Sequence, residues 1–290
     1  MKAGSNMRSR GYSRIIKTFT AAAAIILTLS VLYCASGCKK GENRLEGGNG
    51  VQLSELIAEE KPFTVELTEI CVCPAQGEYK IAQGAATDGK YAYFVMRQSE
   101  NGDCIVCKYE LSTGKLVKTS EPVYLFHGND MTYDSKRGLL YVAHAQSEGK
   151  ILTSVDPATL SVIEQTIEIE KGSGAITYSA ERDQIAISQG GKKIHFLDGE
   201  LRLLKSIDRV DDTGYTAQGM GSDESYIYFP MSGLDSNFIE VYDWEGNYVT
   251  HFLLDAPWES ETMFWWDGIY FICFNDSRAA HLYRMEFIQK

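Results

Sequence analysis

Five segments of this chain begin alike and recur at nearly constant spacing. They are Gln83-Gly84-Ala85-Ala86-Thr87-Asp88, Asn129-Asp130-Met131-Thr132-Tyr133-Asp134, Gly174-Ala175-Ile176, Gln218-Gly219-Met220 and Glu261-Thr262-Met263. Successive starting residues lie 46, 45, 44 and 43 positions apart. A period of this length marks a supersecondary unit that cannot bury its apolar face alone and must stack on copies of itself.

Each start is followed by a second run of β-branched and aromatic residues, at 91–95, 139–143, 184–188, 226–229 and 269–272, and by a third at 105–109, 151–155, 193–197, 238–242 and 281–285. Four of the third runs end in turn chemistry: Glu110-Leu111-Ser112-Thr113-Gly114, Asp156-Pro157-Ala158-Thr159, Asp198-Gly199-Glu200 and Asp243-Trp244-Glu245-Gly246. Asp supplies a side-chain acceptor for the turn and Gly a positive φ. A fourth strand follows each of these, at 115–123, 160–168, 203–210 and 248–254, whereas the fifth unit stops at Lys290. Its missing outer strand is available at 63–72, at the other end of the chain. The expectation is an all-β fold, a five-bladed β-propeller over 63–290 closed by an N-terminal outer strand, because closure of this kind leaves no free edge. An incomplete six-bladed ring and a β-sandwich are the alternatives. In period and in its Asp-containing turns the repeat resembles bacterial propellers of the NHL and YVTN kind. In blade count it is similar to plant-type glutaminyl cyclases. The resemblance implies a fold and carries no catalytic residue with it.

The start of the chain predicts export. Lys2, Arg8, Arg10, Arg14 and Lys17 stand without an acidic neighbour, an uncharged stretch runs from Thr18 to Gly37, and the stretch ends on Ala35-Ser36-Gly37-Cys38. This is a basic n-region, an apolar h-region and a small-residue cleavage site. The last four residues resemble a bacterial lipobox, with Ala35 where Leu is usual. The resemblance implies a signal peptide over 1–37 and lipidation of Cys38, which would make the chain a lipoprotein held on the outer, extracytoplasmic face of the cell membrane. An uncleaved spanning helix is the competing reading, since about 18 apolar residues suffice to span. The segment 38–62, with Gly41, Gly47, Gly48 and Gly50, reads as a flexible spacer with a short helix over 54–60.

With five of the 28 basic residues in the leader, the remainder keeps 23 against 39 acidic residues, a formal charge of −16. Such a surface repels nucleic acid, so no nucleic-acid partner is expected. Beyond Cys34 and Cys38 there are Cys71, Cys73, Cys104, Cys107 and Cys273. Cys104 and Cys107 point to opposite faces of one strand, which argues against a zinc or thioredoxin-like site. Cys71 and Cys73 share a face, and one of them could pair with Cys104 or Cys107 in the adjoining blade.

In a propeller the repeat starts would form a ring around the mouth of the central channel. Gln83, Asn129, Gln218 and Glu261 make four of its five positions polar, and His127, Asp130 and Glu259 flank them. The second strands return to the same rim and bring Arg97 and His144. These amides, carboxylates and cations suit a small polar ligand, a carboxylate or a sugar, and the oxygen-rich part suits a hard cation such as Ca²⁺. The competing reading is that they bond one another and the backbone around a narrow channel. No G-x-S-x-G elbow, P-loop or G-x-G-x-x-G in a strand-to-helix setting is present. The sequence therefore favours a non-enzymatic binding or interaction module without a cofactor, recognising an extracytoplasmic protein, peptide or glycan. The alternatives are a glutaminyl cyclase- or lactonase-like enzyme using Glu261 or Asp130 as acid or base, and a purely structural partner in an envelope complex.

Overall fold

The computed structural model describes residues 51–98, 102–144, 151–168, 174–189, 192–210, 215–233 and 236–290. Cys38 and the leader lie outside them. Among the described residues no helix is long and apolar enough to cross a membrane.

The strands form five antiparallel sheets, each with strands running outward from a common axis. Blade one carries Ile81–Thr87, Tyr91–Arg97, Asp103–Glu110 and Lys115–Thr119, with Val123–Tyr124 added beside its third strand. Blade two carries Asp130–Asp134, Leu139–Ala143, Ile151–Val155 and Val162–Glu168. Blade three carries Ala175–Ser179, Gln184–Gln189, Lys193–Asp198 and Leu203–Asp208. In blade four the inner strand is broken into Thr216–Ala217 and Gly221–Ser222, followed by Tyr226–Ser232, Asn237–Asp243 and Tyr248–Leu254. Blade five carries Glu259–Trp266, Ile269–Asn275 and Ala279–Gln289, and its outermost strand is Phe63–Pro74 from the other end of the chain. The five inner strands touch in sequence, and the last touches the first, so the ring is closed. The molecule is the five-bladed propeller that the repeat requires.

Closure rests on a long ladder. Phe63 opposes Gln289, Pro74 opposes Ala279, and a single irregularity interrupts the register between Glu69 and Cys71. The Asp turns also form as their chemistry dictates. Asp156 Oδ1 accepts the amides of Ala158 and Thr159, Asp198 Oδ1 those of Glu200 and Arg202, and Asp243 Oδ1 that of Asn247.

Strand alternation distributes each blade's side chains between its two neighbours. The result is five apolar cores, one at each interface between blades. In blade one's third strand, Cys104 and Val106 pack toward blade two with Leu140 and Val142, while Cys107 and Tyr109 pack toward blade five with Cys73 and Leu282. The core between blades four and five, with Ile239, Ile272 and Met285, also receives the one helix among the described residues, Leu53–Ala58. That helix starts one residue earlier and ends two earlier than the sequence suggests. Six residues cannot sustain a helix alone. Leu53, Leu56 and Ile57 fall on one face, all three are buried, and the Gln52 side-chain amide donates to Gly268 O at 3.3 Å.

The break in blade four's inner strand has a packing cause. A Cβ on Gly219 would lie 2.3 Å from Glu261 O, and one on Gly221 1.7 Å from Met263 O. Both glycines let this segment run directly against the backbone of blade five.

Candidate functional site

Inner strands begin at one end of the channel, here called the mouth. Gln83 and Glu261 lie on the inner strands of adjacent blades, one and five, and both are bulged. The ladder passes from Ala82 to Gly84 without pairing Gln83, and from Ser260 to Thr262 without pairing Glu261. A bulge adds a residue to one strand and re-aims its side chain. The two strands carry it in seven and eight residues, where the inner strands of blades two and three have five each. The extra length was visible in sequence; its meaning required the register.

The ring positions divide into two groups. Asn129 and Asp130 are committed to the backbone of other blades. The Asn129 side-chain amide donates to Gly174 O at 2.6 Å and to Gln218 O at 2.8 Å, which ties blade two to blades three and four. Asp130 is fully buried; its Oδ1 accepts the Met131 amide at 2.8 Å, and its Oδ2 accepts those of Ile176 and Met220, both at 2.9 Å. Burial pushes its carboxyl up to about 8, against the pull of those amides and the Thr262 hydroxyl. For these two residues the bonds are those of a channel drawn closed. Gln83 bonds locally, donating from Nε2 to Ala82 O at 2.9 Å.

The second group stands at the mouth with bonding capacity left over. Glu261 is buried, its Oε1 has no hydrogen-bond partner among the described residues, and its remaining contact is with the Asn275 side chain. Burial, then the neighbouring charge of Glu259, push its carboxyl well above the usual range, opposed by Asn275 and Arg97. A carboxyl shifted in this direction is drawn toward its neutral, hydrogen-bond-donating form. Arg97, at the end of blade one's second strand, has a buried Nε without a partner among the described residues. His127, on the connection into blade two, has a buried Nδ1 in the same condition. Burial and then the Arg97 charge hold the His127 imidazole down to about 4, so it is neutral at pH 7. Arg97 therefore stands close enough to act on both His127 and Glu261.

An open cavity of about 600 Å³ is lined by Gln218, Ser232, Asn237, Trp258 and Glu259 among others, and Glu259 is the lining residue whose charge acts on Glu261. Gln218 Nε2 donates to Glu259 Oε1 at 2.5 Å, so the two form a shared rim. His144 is buried on blade two, with Nε2 2.9 Å from Thr153 Oγ1 and its ring against Phe126. Burial lowers it to about 4. Among the described residues no group of three His, Cys, Asp or Glu is arranged to hold a metal ion.

The far end of the channel holds a smaller cavity of about 130 Å³ that includes Thr177, Ser222, Asp223 and Trp266. Its polar groups are largely paired: Thr177 and Ser222 bond at 2.7 Å, and Asp223 Oδ2 accepts the hydroxyls of Tyr228 and Tyr270 at 2.6 and 2.5 Å. The indole N–H groups of Trp265 and Trp266 are the donors there without a partner among the described residues, whereas the mouth has an arginine, an imidazole and a carboxyl in that condition.

No family model matches the chain, and no curated protein matches it by sequence. Among solved structures it is similar to a glutaminyl cyclase from Myxococcus xanthus, with a TM-score of 0.54 and 14% identity, covering 79% of this chain and 100% of that one. A chain of a nidogen/laminin complex is similar at a TM-score of 0.47 and 11% identity, over 73% of this chain and 86% of that one. Hydrazine synthase from Kuenenia stuttgartiensis follows at 0.43 and 15%, over 69% and 57%. At such identities the likeness to the cyclase is one of fold, and the class defined is the β-propeller.

Proposed function

We propose that this protein is an extracytoplasmic lipoprotein, tethered through Cys38, whose propeller mouth binds the carboxylate of a small molecule, peptide or acidic glycan. The observation that carries the reading is a set of three buried polar atoms without a hydrogen-bond partner among the described residues, Arg97 Nε, His127 Nδ1 and Glu261 Oε1, on three separate segments of chain, with the Arg97 charge acting on the other two groups. Buried polar atoms in native proteins are nearly always satisfied, and a cluster of unsatisfied ones calls for a bound polar group. Arg97 supplies charge to a carboxylate. Glu261, drawn by burial toward its neutral form, and a His127 tautomer with Nδ1–H would add neutral donors. Glu259 and Gln218 at the rim favour a ligand that carries hydroxyl or amide groups beside its acid.

The docked helix bears on how such a tether would present the site. Gln52 is bonded at Gly268, in the hairpin at the far end of blade five's inner strand from Glu259. A tether entering through Val51 would then join the domain at the end opposite the mouth.

A second reading is favoured by the raised carboxyl of Glu261, which has the neutral form a general acid requires. Together with the fold shared with a glutaminyl cyclase, it makes acid-base chemistry at the mouth the alternative.

The test is a melting-point screen against peptidoglycan fragments, acidic glycans, peptides and free amino acids, with Ca²⁺ and chelator as separate arms. A ligand that binds only the native state raises the midpoint. A rise confined to carboxylate-bearing compounds supports the reading. A response to neutral analogues alone would remove it, and turnover of a responding compound would convert the module into an enzyme.

A further inference from the structure

The closing strand brings cysteines to the seam of the ring. Cys71 and Cys73 sit on the Phe63–Pro74 strand, opposite Leu282 and Ala280, and both are buried in the core between blades five and one. That core also contains Cys107, from blade one's third strand, and Cys273, from blade five's second. The approach of the two blades is close here: a Cβ added to Gly114, in the turn after Cys107's strand, would lie 3.2 Å from Cys71 Cβ. In the structure Cys71, Cys73, Cys104, Cys107 and Cys273 are all free thiols, and the Cys107 thiol and Tyr109 hydroxyl are the hydrogen-bonding neighbours of the Cys73 sulfur. Cys104 is excluded from the group, since it faces the opposite core.

We infer that Cys73 and Cys107 form a disulfide that fastens the N-terminal closing strand to blade one across the seam of the propeller. The inference rests on the extracytoplasmic part of the proposed function, because structural disulfides persist where the surroundings are oxidising. The Cys73 thiolate attacks the disulfide of a thiol-disulfide oxidoreductase, forming a mixed disulfide and releasing one of its sulfurs as a thiolate. The Cys107 thiolate then displaces the second. One S–S bond forms and one breaks, the protein loses two electrons and two protons, and the oxidant leaves as a dithiol. Both sulfurs are buried once the ring is shut, so the exchange belongs to folding, before the closing strand has settled. The bond would then hold the contact that propeller closure depends on most: only the ladder of Phe63–Pro74 joins the two ends of the chain within one sheet.

The test is peptide mapping of the full chain under non-reducing conditions, on two samples. One is purified from its native envelope with free thiols blocked at lysis; the other is refolded with an oxidised and reduced glutathione couple. The expected result in both is a linked pair of peptides carrying Cys73 and Cys107, with Cys71, Cys104 and Cys273 blocked as free thiols. Reduction should lower the melting midpoint by roughly 5–10 °C, and Cys104→Ser should leave that difference in place. A refolded sample in which Cys73 and Cys107 remain free, or pair elsewhere, would overturn the inference. A refolded sample with the bond beside a native sample without it would retain the geometry and overturn the extracytoplasmic reading instead.

Discussion

Asp130 Oδ2 lies 2.9 Å from the amide nitrogen of Met220, ninety residues away and two blades further round the ring. The same oxygen accepts from Ile176 in the blade between them. One buried carboxyl thus joins three consecutive blades at their inner strands. Asp130→Asn keeps the shape, but its amide can accept on one side only and sets a donor against another donor on the other. Loss of buried hydrogen bonds to a charged or polar acceptor costs about 1–3 kcal/mol for each group left unsatisfied. The variant should therefore lose roughly 3–5 kcal/mol in equilibrium denaturation, and a change under 1 kcal/mol would show that the axis is held by other means.

The glycines along the inner strands separate steric from conformational demands. Gly84→Ala would drive a Cβ to 2.6 Å from Asp130 Cα, and Gly221→Ala would meet Met263 O. Neither neighbour is a side chain that can swing aside, so both variants should be destabilised by several kcal/mol or fail to accumulate folded. Gly138→Ala meets no atom within 4 Å but sits at φ +65°, and should cost only about 1 kcal/mol. Measured midpoints that failed to separate the three would contradict the packing of the inner ring.

Much of this architecture could be read from the chain because each blade solves the same local problem. The strand runs, the Asp turns and the orphaned outer strand at 63–72 are short-range features, and their repetition gives the blade count directly. What escaped was the part decided by partners one or two blades away. Asn129 and Asp130 stand in the same register as Gln83 and Glu261 and have similar side chains. The first pair is bonded to Gly174, Ile176, Gln218 and Met220, while Glu261 sits at a bulge with Oε1 unpartnered among the described residues. No local signal distinguishes a polar residue that closes the channel from one that opens onto it. The docking of Leu53 and Leu56 was likewise invisible, since six residues carry too little periodicity to name the surface they cover.

His127 makes a pH prediction whose sign follows from the direction of its shift. In the unfolded chain it titrates near 6.5, and in the folded protein burial and Arg97 hold it near 4. The folded state thus binds fewer protons between those values, and the contribution of this group is complete above pH 6.5 and is lost as the pH falls toward 4. His127→Asn should consequently gain on the wild type as pH is lowered from 6.5 to 4, with the difference between them constant above pH 7. Paired denaturation curves across that range measure it, and a difference independent of pH would place His127 in ordinary solvent.

Glu261 predicts an asymmetry between stability and binding. Burial raises the Glu261 carboxyl, so the wild type should lose stability relative to Glu261→Gln as the pH rises from 4.5, and paired denaturation curves measure it. The amide keeps a neutral donor beside an acceptor, so Glu261→Gln should leave affinity for an acidic ligand nearly unchanged, whereas Glu261→Leu, which keeps neither, should weaken it about tenfold. Full affinity in Glu261→Leu would remove Glu261 from the site.

The most direct measurement compares wild type and Arg97→Gln for the ligand that gives the largest melting shift. Arg97 lies at the end of a strand whose core residues are untouched by the change, so the fold should persist. At a ligand concentration one hundred times its Kd the wild type should gain about 2.7 kcal/mol. The variant should retain its unliganded midpoint and lose most of the shift for carboxylates, with little effect on any neutral compound. A full shift in Arg97→Gln would contradict a site built on Arg97, His127 and Glu261 at the mouth of the channel.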